Sequence, residues 1–99
     1  MAYFFCRLKP PRPTFMQDMN NEERQVMMAH GAYWKGLLDQ GKAIVFGPVL
    51  DPQGGWGLGV VQAADQAELN ALLEGDPVAR SKIGFRFECL PMAQAVYKK

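Results

Sequence analysis

An α+β plait, in which a four-stranded antiparallel sheet carries its helices on one face, is the fold this sequence predicts. Four short runs are rich in aromatic, β-branched and alternating apolar residues, the pattern of strands. Two longer segments repeat apolar residues every three or four positions, as amphipathic helices do. Their order along the chain is strand, helix, strand, strand, helix, strand. Two βαβ-like halves joined by a hairpin make the βαββαβ, ferredoxin-like plait.

Residues 2–8, rich in Tyr, Phe and Cys, form the first strand and break at Pro10-Pro11. Residues 9–18 hold Pro10, Pro11 and Pro13 and are expected to be neither helix nor central strand. Connections of this length are often functional. Asn20 or Asn21 caps the first helix, Glu22 and Glu23 suit its positive end, and Gly41 closes it. Gly31 and Gly36 fall inside, each costing about 1 kcal/mol against alanine. A strand crossing or a ligand is therefore expected near Gly31.

Residues 42–49 form the second strand, ended by Gly47-Pro48, and residues 51–55 turn the chain. Residues 56–63 form the third strand, where Gly57 and Gly59 leave one face bare for another surface to approach. Asp65 caps the second helix, with Glu68 three residues on as in a capping box. Leu69, Leu72 and Leu73 give that helix its apolar stripe, and Gly75 ends it. Asp76-Pro77 opens one more helical turn. Residues 84–90 alternate Phe85, Phe87 and Cys89 against Arg86 and Glu88, a half-buried fourth strand. The tail, 94–99, carries no strong signal.

Ninety-nine residues make one domain, 1–99, and a composition 48% hydrophobic and 21% charged is that of an ordered globule. A net charge of +1 with scattered basic residues gives no sign of a nucleic-acid surface, and no nucleic-acid partner is expected. No apolar stretch approaches the ~18 residues of a membrane span. The apolar run at the N-terminus is too short for a secretion signal. A cytoplasmic protein with no membrane partner is expected. Cys6 and Cys89 are expected as buried free thiols, and a disulfide would require their strands to pair. Without a CxxC motif or a His/Cys cluster, no metal site is expected. Gly54-Gly55-Trp56-Gly57 lacks the Gly-Lys-Ser/Thr of a phosphate loop and reads as a hairpin turn.

The sheet's second face is expected to carry an alternating set drawn from Tyr3, Phe5, Phe46, Phe85 and Phe87. So much aromatic surface calls for a cover. A second copy of the chain, sheet against sheet, is the economical one, so a homodimer is expected.

His30 is the only histidine. Stepping about 100° per residue along 21–40 groups Val26, Met27, Tyr33, Trp34, Leu37 and Leu38 on one side, with His30 near the centre. An imidazole there faces a core or a cavity, where burial and a carboxylate neighbour govern its proton affinity. The plain alternative is a core histidine bonded to a backbone carbonyl. Asp76, before proline at a helix start, is first of all an N-cap. In the plait, however, the second helix lies beside the first. A carboxylate at its end can reach a histidine midway along the first helix and orient it as a general base. Asp39, Asp51, Asp65 and Glu88 compete for that role. Gly47, followed by Pro48, lets backbone or substrate approach closely. Tyr33, Trp34 and Phe46 are either core or a substrate platform. Arg12, in the proline-rich segment, is a candidate anion clamp.

Taken in order, His30-Gly31-Ala32-Tyr33-Trp34, Gly41, Gly47-Pro48-Val49-Leu50-Asp51, Trp56-Gly57-Leu58-Gly59-Val60 and Gly75-Asp76-Pro77 resemble the YCII-related proteins. The ordered set spans residues 1–92, and no single motif in it is specific. The resemblance implies a dimeric α/β barrel and an active site at His30 and Asp76. It also implies similarity to muconolactone isomerases, with a few relatives acting as dehydrochlorinases on hydroxylated aromatic compounds. Segment 9–19 is longer than the family pattern. The expectation is a small enzyme of lyase or isomerase type that needs no cofactor and acts on a small cyclic or aromatic molecule. Its rivals are a non-catalytic dimeric binding or accessory module, in which His30 and Asp76 only lock two helices together, and a cofactor-free oxygenase, which related dimeric barrels support. A His30 reachable from a cavity favours the enzyme; a sealed one favours the module.

Overall fold

The computed structural model describes residues 1–98. Strand β1 (Ala2–Lys9) leads through the one-turn helix α1 (Phe15–Asp18) to the long helix α2 (Asn21–Asp39). Strands β2 (Ala43–Val49) and β3 (Trp56–Ala63) follow, then α3 (Gln66–Glu74), the one-turn α4 (Pro77–Arg80) and β4 (Arg86–Met92). The sheet order is β2-β3-β1-β4, and every neighbouring pair is antiparallel. The helices pack on one face, so the α+β, ferredoxin-like expectation holds.

Local chemistry explains the helix starts. The Asn20 side chain accepts from the Glu23 backbone N–H at 2.8 Å, and the Glu23 carboxylate accepts from the Asn20 N–H at 2.9 Å. Two otherwise unpaired donors are satisfied reciprocally. Asp65 caps α3 in the same way, but Glu68 takes the N–H of Ala64 rather than that of the cap residue. After α2, Gly41 adopts a left-handed φ of 76° and turns the chain into β2.

Packing then selects the faces. Along β1, Phe4, Cys6 and Leu8 are buried towards the helices, while Tyr3, Phe5, Arg7 and Lys9 are half-buried on the other side. Trp34 and Leu37 of α2 and Leu69 of α3 close the core over Phe4, Cys6, Val61 and Ala63. The bare face expected of β3 is used by Trp34: a Cβ placed on Gly59 would lie 2.5 Å from its ring.

Four sequence expectations change. Residues 9–18 are not free of helix, because the prolines all precede Thr14 and nothing after it forbids the turn that forms α1. Strand β4 runs two residues later than expected. Gly84, at φ 113°, belongs to the incoming loop, and Pro91 is tolerated because β4 is an edge strand. Of the five aromatic residues expected on the open face, only Tyr3 and Phe5 are there. Phe46 packs against Trp34 and Phe85 against Phe15, and Phe87 joins the core. The open face instead carries one apolar row, Val45, Val60, Phe5 and Leu90, in register across all four strands. Finally, of the two alternatives expected at Gly31 the strand crossing falls away, since among the described residues a Cβ there would meet nothing within 4 Å.

The two kinds of glycine make opposite predictions. Gly59→Ala drives a methyl group into the Trp34 ring and is expected to lower stability by about 1–3 kcal/mol. Gly36→Ala, where only the Gln40 side chain approaches to 4.0 Å, is expected to raise it by up to about 1 kcal/mol through helix propensity. Urea denaturation of both variants checks this, and a shift of the same sign in both would contradict the packing described.

Candidate active site

Asp76 is fully buried, with no exposed surface, at the N-cap of α4. Pro77 occupies the first helical position, which suits its fixed φ. The carboxylate is surrounded by donors. Oδ1 accepts from the Val78 backbone N–H at 3.0 Å, and Oδ2 accepts from Trp34 Nε1 at 2.6 Å. His30 Nδ1 lies 2.8 Å from Oδ2 and 3.0 Å from Oδ1. Trp34 and His30 reach the same acid because they stand four residues apart on one face of α2.

This geometry assigns the imidazole tautomer. A carboxylate only accepts hydrogen bonds, so Nδ1 must carry the hydrogen that faces Asp76. In the neutral ring the lone pair then resides on Nε2. The His30 side chain retains 14% exposure and lines a cavity of about 370 Å³ between α2, the sheet and segment 10–19.

Trp34, Phe46, Gly47 and Pro48 share that cavity with His30. Gly31 borders it too, so its missing side chain leaves space open to a ligand. Met16, Met19 and Met27 complete the wall beside them. Sequence reasoning placed Met27 on the His30 face of α2, one turn before it, but missed Met16 and Met19, which lie in α1 and at its end, where the proline signal dominated. Among the described residues, the only titratable side chains lining the cavity are His30 and Cys6. Both lining indoles have their N–H bonds occupied, Trp34 by Asp76 and Trp56 by Asp51 at 3.1 Å.

Two candidates lie elsewhere. The Tyr33 hydroxyl donates to the Leu72 carbonyl at 2.7 Å and joins α2 to α3 away from the cavity. Burial, reinforced by the nearby Asp76 charge, raises its phenol pKa. Arg12 is turned outward. Its terminal nitrogens each meet a Glu23 oxygen at 2.8 Å, and its Nε meets Asp18 at 2.8 Å. An arginine so engaged has little left for an anion. It instead fastens segment 10–19 to the start of α2, and Phe15, 2% exposed, plugs the same segment into Phe85. The competing acids are also occupied: Asp39 by Lys35, Asp51 by Trp56, Asp65 by the α3 cap, while Glu88 faces Lys9 at 3.8 Å.

Among the described residues no group of three or more His, Cys, Asp or Glu side chains could hold a metal ion, and no helix is long and apolar enough to cross a membrane. The model of the YCII-related domain matches residues 3–93. The chain belongs to that family. No curated protein matches it. Among solved structures it is similar to 5-chloro-2-hydroxyhydroquinone dehydrochlorinase from Burkholderia phenoliruptrix AC1100, in complex with 2,5-dihydroxybenzoquinone. The two are 21% identical, with a TM-score of 0.58 over 86% of this chain and 90% of that one. At that identity the likeness establishes the fold.

The Arg12–Glu23 clasp yields a pH prediction. Arg12 foremost, then the Asn20 backbone N–H, holds the Glu23 carboxyl at about 2 instead of 4.5. A depressed folded pKa adds stability that is present above the unfolded value and is lost as pH falls towards the folded one. The melting temperature of the protein should therefore drop between about pH 4.5 and pH 2, and the drop should be smaller in Glu23→Gln. Parallel curves for the two proteins across that window would show that the clasp contributes nothing.

Proposed function

We propose that this protein is a cofactor-independent acid–base enzyme of lyase or isomerase type, acting on a small phenolic or otherwise uncharged ring. The observation that carries the reading is the His30–Asp76 pair, with Nδ1 tied to the buried acid and the ring lining an apolar cavity. Neutral Nε2 takes a proton from a substrate C–H or O–H. Asp76 stabilises the imidazolium that forms, as an oriented carboxylate does for a general base. The proton then returns to another carbon, completing an isomerisation. In an elimination, the electron pair left behind instead expels an anion such as chloride.

The wall argues for the substrate class. It offers no lysine or arginine to a carboxylate, and an unpaired buried charge costs several kcal/mol. A ring with hydroxyl groups needs no such partner, and Trp34, Phe46 and the three methionines give it aromatic and thioether contacts. The volume suits one substituted ring. A dehydrochlorinase of like fold holds 2,5-dihydroxybenzoquinone, which supports a single hydroxylated ring as the ligand. That His30 lines a cavity favours catalysis over a locking role. The reading includes a homodimer in which a second copy covers the row Val45, Val60, Phe5 and Leu90; Val45 and Leu90 are 47% and 64% exposed in the single chain. Free cysteines fit a reducing, cytoplasmic compartment.

The test uses 5-chloro-2-hydroxyhydroquinone as substrate and 2,5-dihydroxybenzoquinone as ligand. Chloride release is expected from the wild type. His30→Gln and Asp76→Asn should slow it by about 10²–10⁴-fold, the range of a lost general base. The ligand should shift the His30 ring resonances. No release, together with His30 resonances indifferent to this and other phenolic rings, would overturn the proposal.

A further inference from the structure

Cys6 and Cys89 take no part in the acid–base reading, yet the fold places them together. Cys6 lies on the helix-facing side of β1 with 1% exposure, and Cys89 is half-buried on β4. The register makes them direct partners in the β1–β4 ladder. Directly opposed residues of antiparallel strands hold their side chains on one face with Cβ atoms about 4.5–5.5 Å apart. Their Cα spacing in such a ladder, about 4.5–5.5 Å, lies within what a disulfide spans. The strands are paired on both sides of this point, from Tyr3 opposite Met92 to Lys9 opposite Arg86, so closing a bridge needs rotation of the two side chains and an approach of the strands by about 1 Å.

The two thiols are chemically unequal. A hydrogen bond to Cys89, then burial, pushes the Cys6 thiol pKa up, and the same hydrogen bond pulls that of Cys89 down. The more exposed sulfur is thus the better nucleophile, and the buried one keeps its proton until it is needed. Cys6 also lines the cavity that holds His30.

We propose that Cys6 and Cys89 form a two-electron redox site that reacts with hydroperoxides and closes as a cross-strand disulfide within one chain. The Cys89 thiolate attacks one peroxide oxygen, the O–O bond breaks, and hydroxide leaves with the proton that Cys89 gave up, as water. Cys89 is now a sulfenic acid. The Cys6 sulfur attacks it, the S–O bond breaks, and the Cys6 proton departs with that oxygen as a second water. Two thiols have lost two electrons, and hydrogen peroxide has gained them. The product ties the edge strand β4 covalently to the centre of the sheet and replaces a thiol in the cavity wall by a disulfide sulfur.

The experiment uses the reduced full-length protein and equimolar hydrogen peroxide. The intact mass should fall by two hydrogens, and neither cysteine should remain open to alkylation after unfolding. Trypsin should release peptide 1–7 linked to peptide 87–98, and dithiothreitol should restore both thiols. In Cys6→Ala, Cys89 should stop at the sulfenic acid and be captured by dimedone, which the wild type should escape. The proposal is overturned if Cys89 is oxidised to the sulfinic acid while Cys6 is still alkylated. It is equally overturned if the bridge joins two chains, or if neither thiol reacts under conditions that consume a peptide thiol. Should Cys6→Ala fail to fold, the linked peptides of the wild type decide the matter alone.

Discussion

Asp76 receives three donors while wholly withdrawn from water: the indole of Trp34, the backbone of Val78 and the imidazole of His30. A buried carboxylate is costly unless its oxygens are satisfied. Each of its partners is therefore held in place by the same requirement. Val78 sets the first turn of α4. Trp34 ties α2 to that turn and lies over Gly59, so the sheet below must be bare at that point. His30 is turned until Nδ1 faces the acid, which leaves Nε2 for the cavity. The orientation of the imidazole thus follows from how a charge is accommodated in the core.

The remaining polarity is kept out of the cavity. Segment 10–19 supplies apolar wall through Phe15, Met16 and Met19, while its one arginine is held outside by Glu23 and Asp18. The indole N–H of Trp56 is likewise taken by Asp51. A weakly polar wall strengthens electrostatic interactions inside it. On the proposed function, one oriented imidazole in such surroundings carries the proton to and from a ring that brings its own hydroxyl groups. The clasp at Glu23 serves this arrangement indirectly, since it joins the helix cap of α2 to the wall segment through a single side chain.

The contact of His30 with Asp76 was legible in the sequence because two short-range rules met. Helical periodicity put His30 on the inner face of α2, and the Asp-Pro pair marked Asp76 as the cap of a turn that the plait brings alongside. The caps at Asn20 and Asp65 were legible for the same local reason. What escaped was non-local. Arg12 has several carboxylates within reach, and only the folded path of segment 10–19 selects Glu23 and Asp18. The turn α1 depends on Phe15 meeting Phe85, seventy residues away in sequence. Side-chain faces escaped through register. An irregularity between Ala43 and Val45 changes the parity of β2, so that Phe46 joins the helix side, and a one-residue shift is enough to exchange faces. The pairing of Cys6 with Cys89 was legible only as a condition, and the ladder of β1 with β4 fulfils it.

The proposed chemistry depends on which imidazole nitrogen is left free. Nitrogen-15 chemical shifts of the single histidine, recorded at a pH where the ring is neutral, report this directly. The hydrogen should reside on Nδ1, with Nε2 unprotonated and responsive to 2,5-dihydroxybenzoquinone. A ring that carries its hydrogen on Nε2 would mean that Asp76 does not hold it as described, and His30 would have no lone pair to offer the cavity.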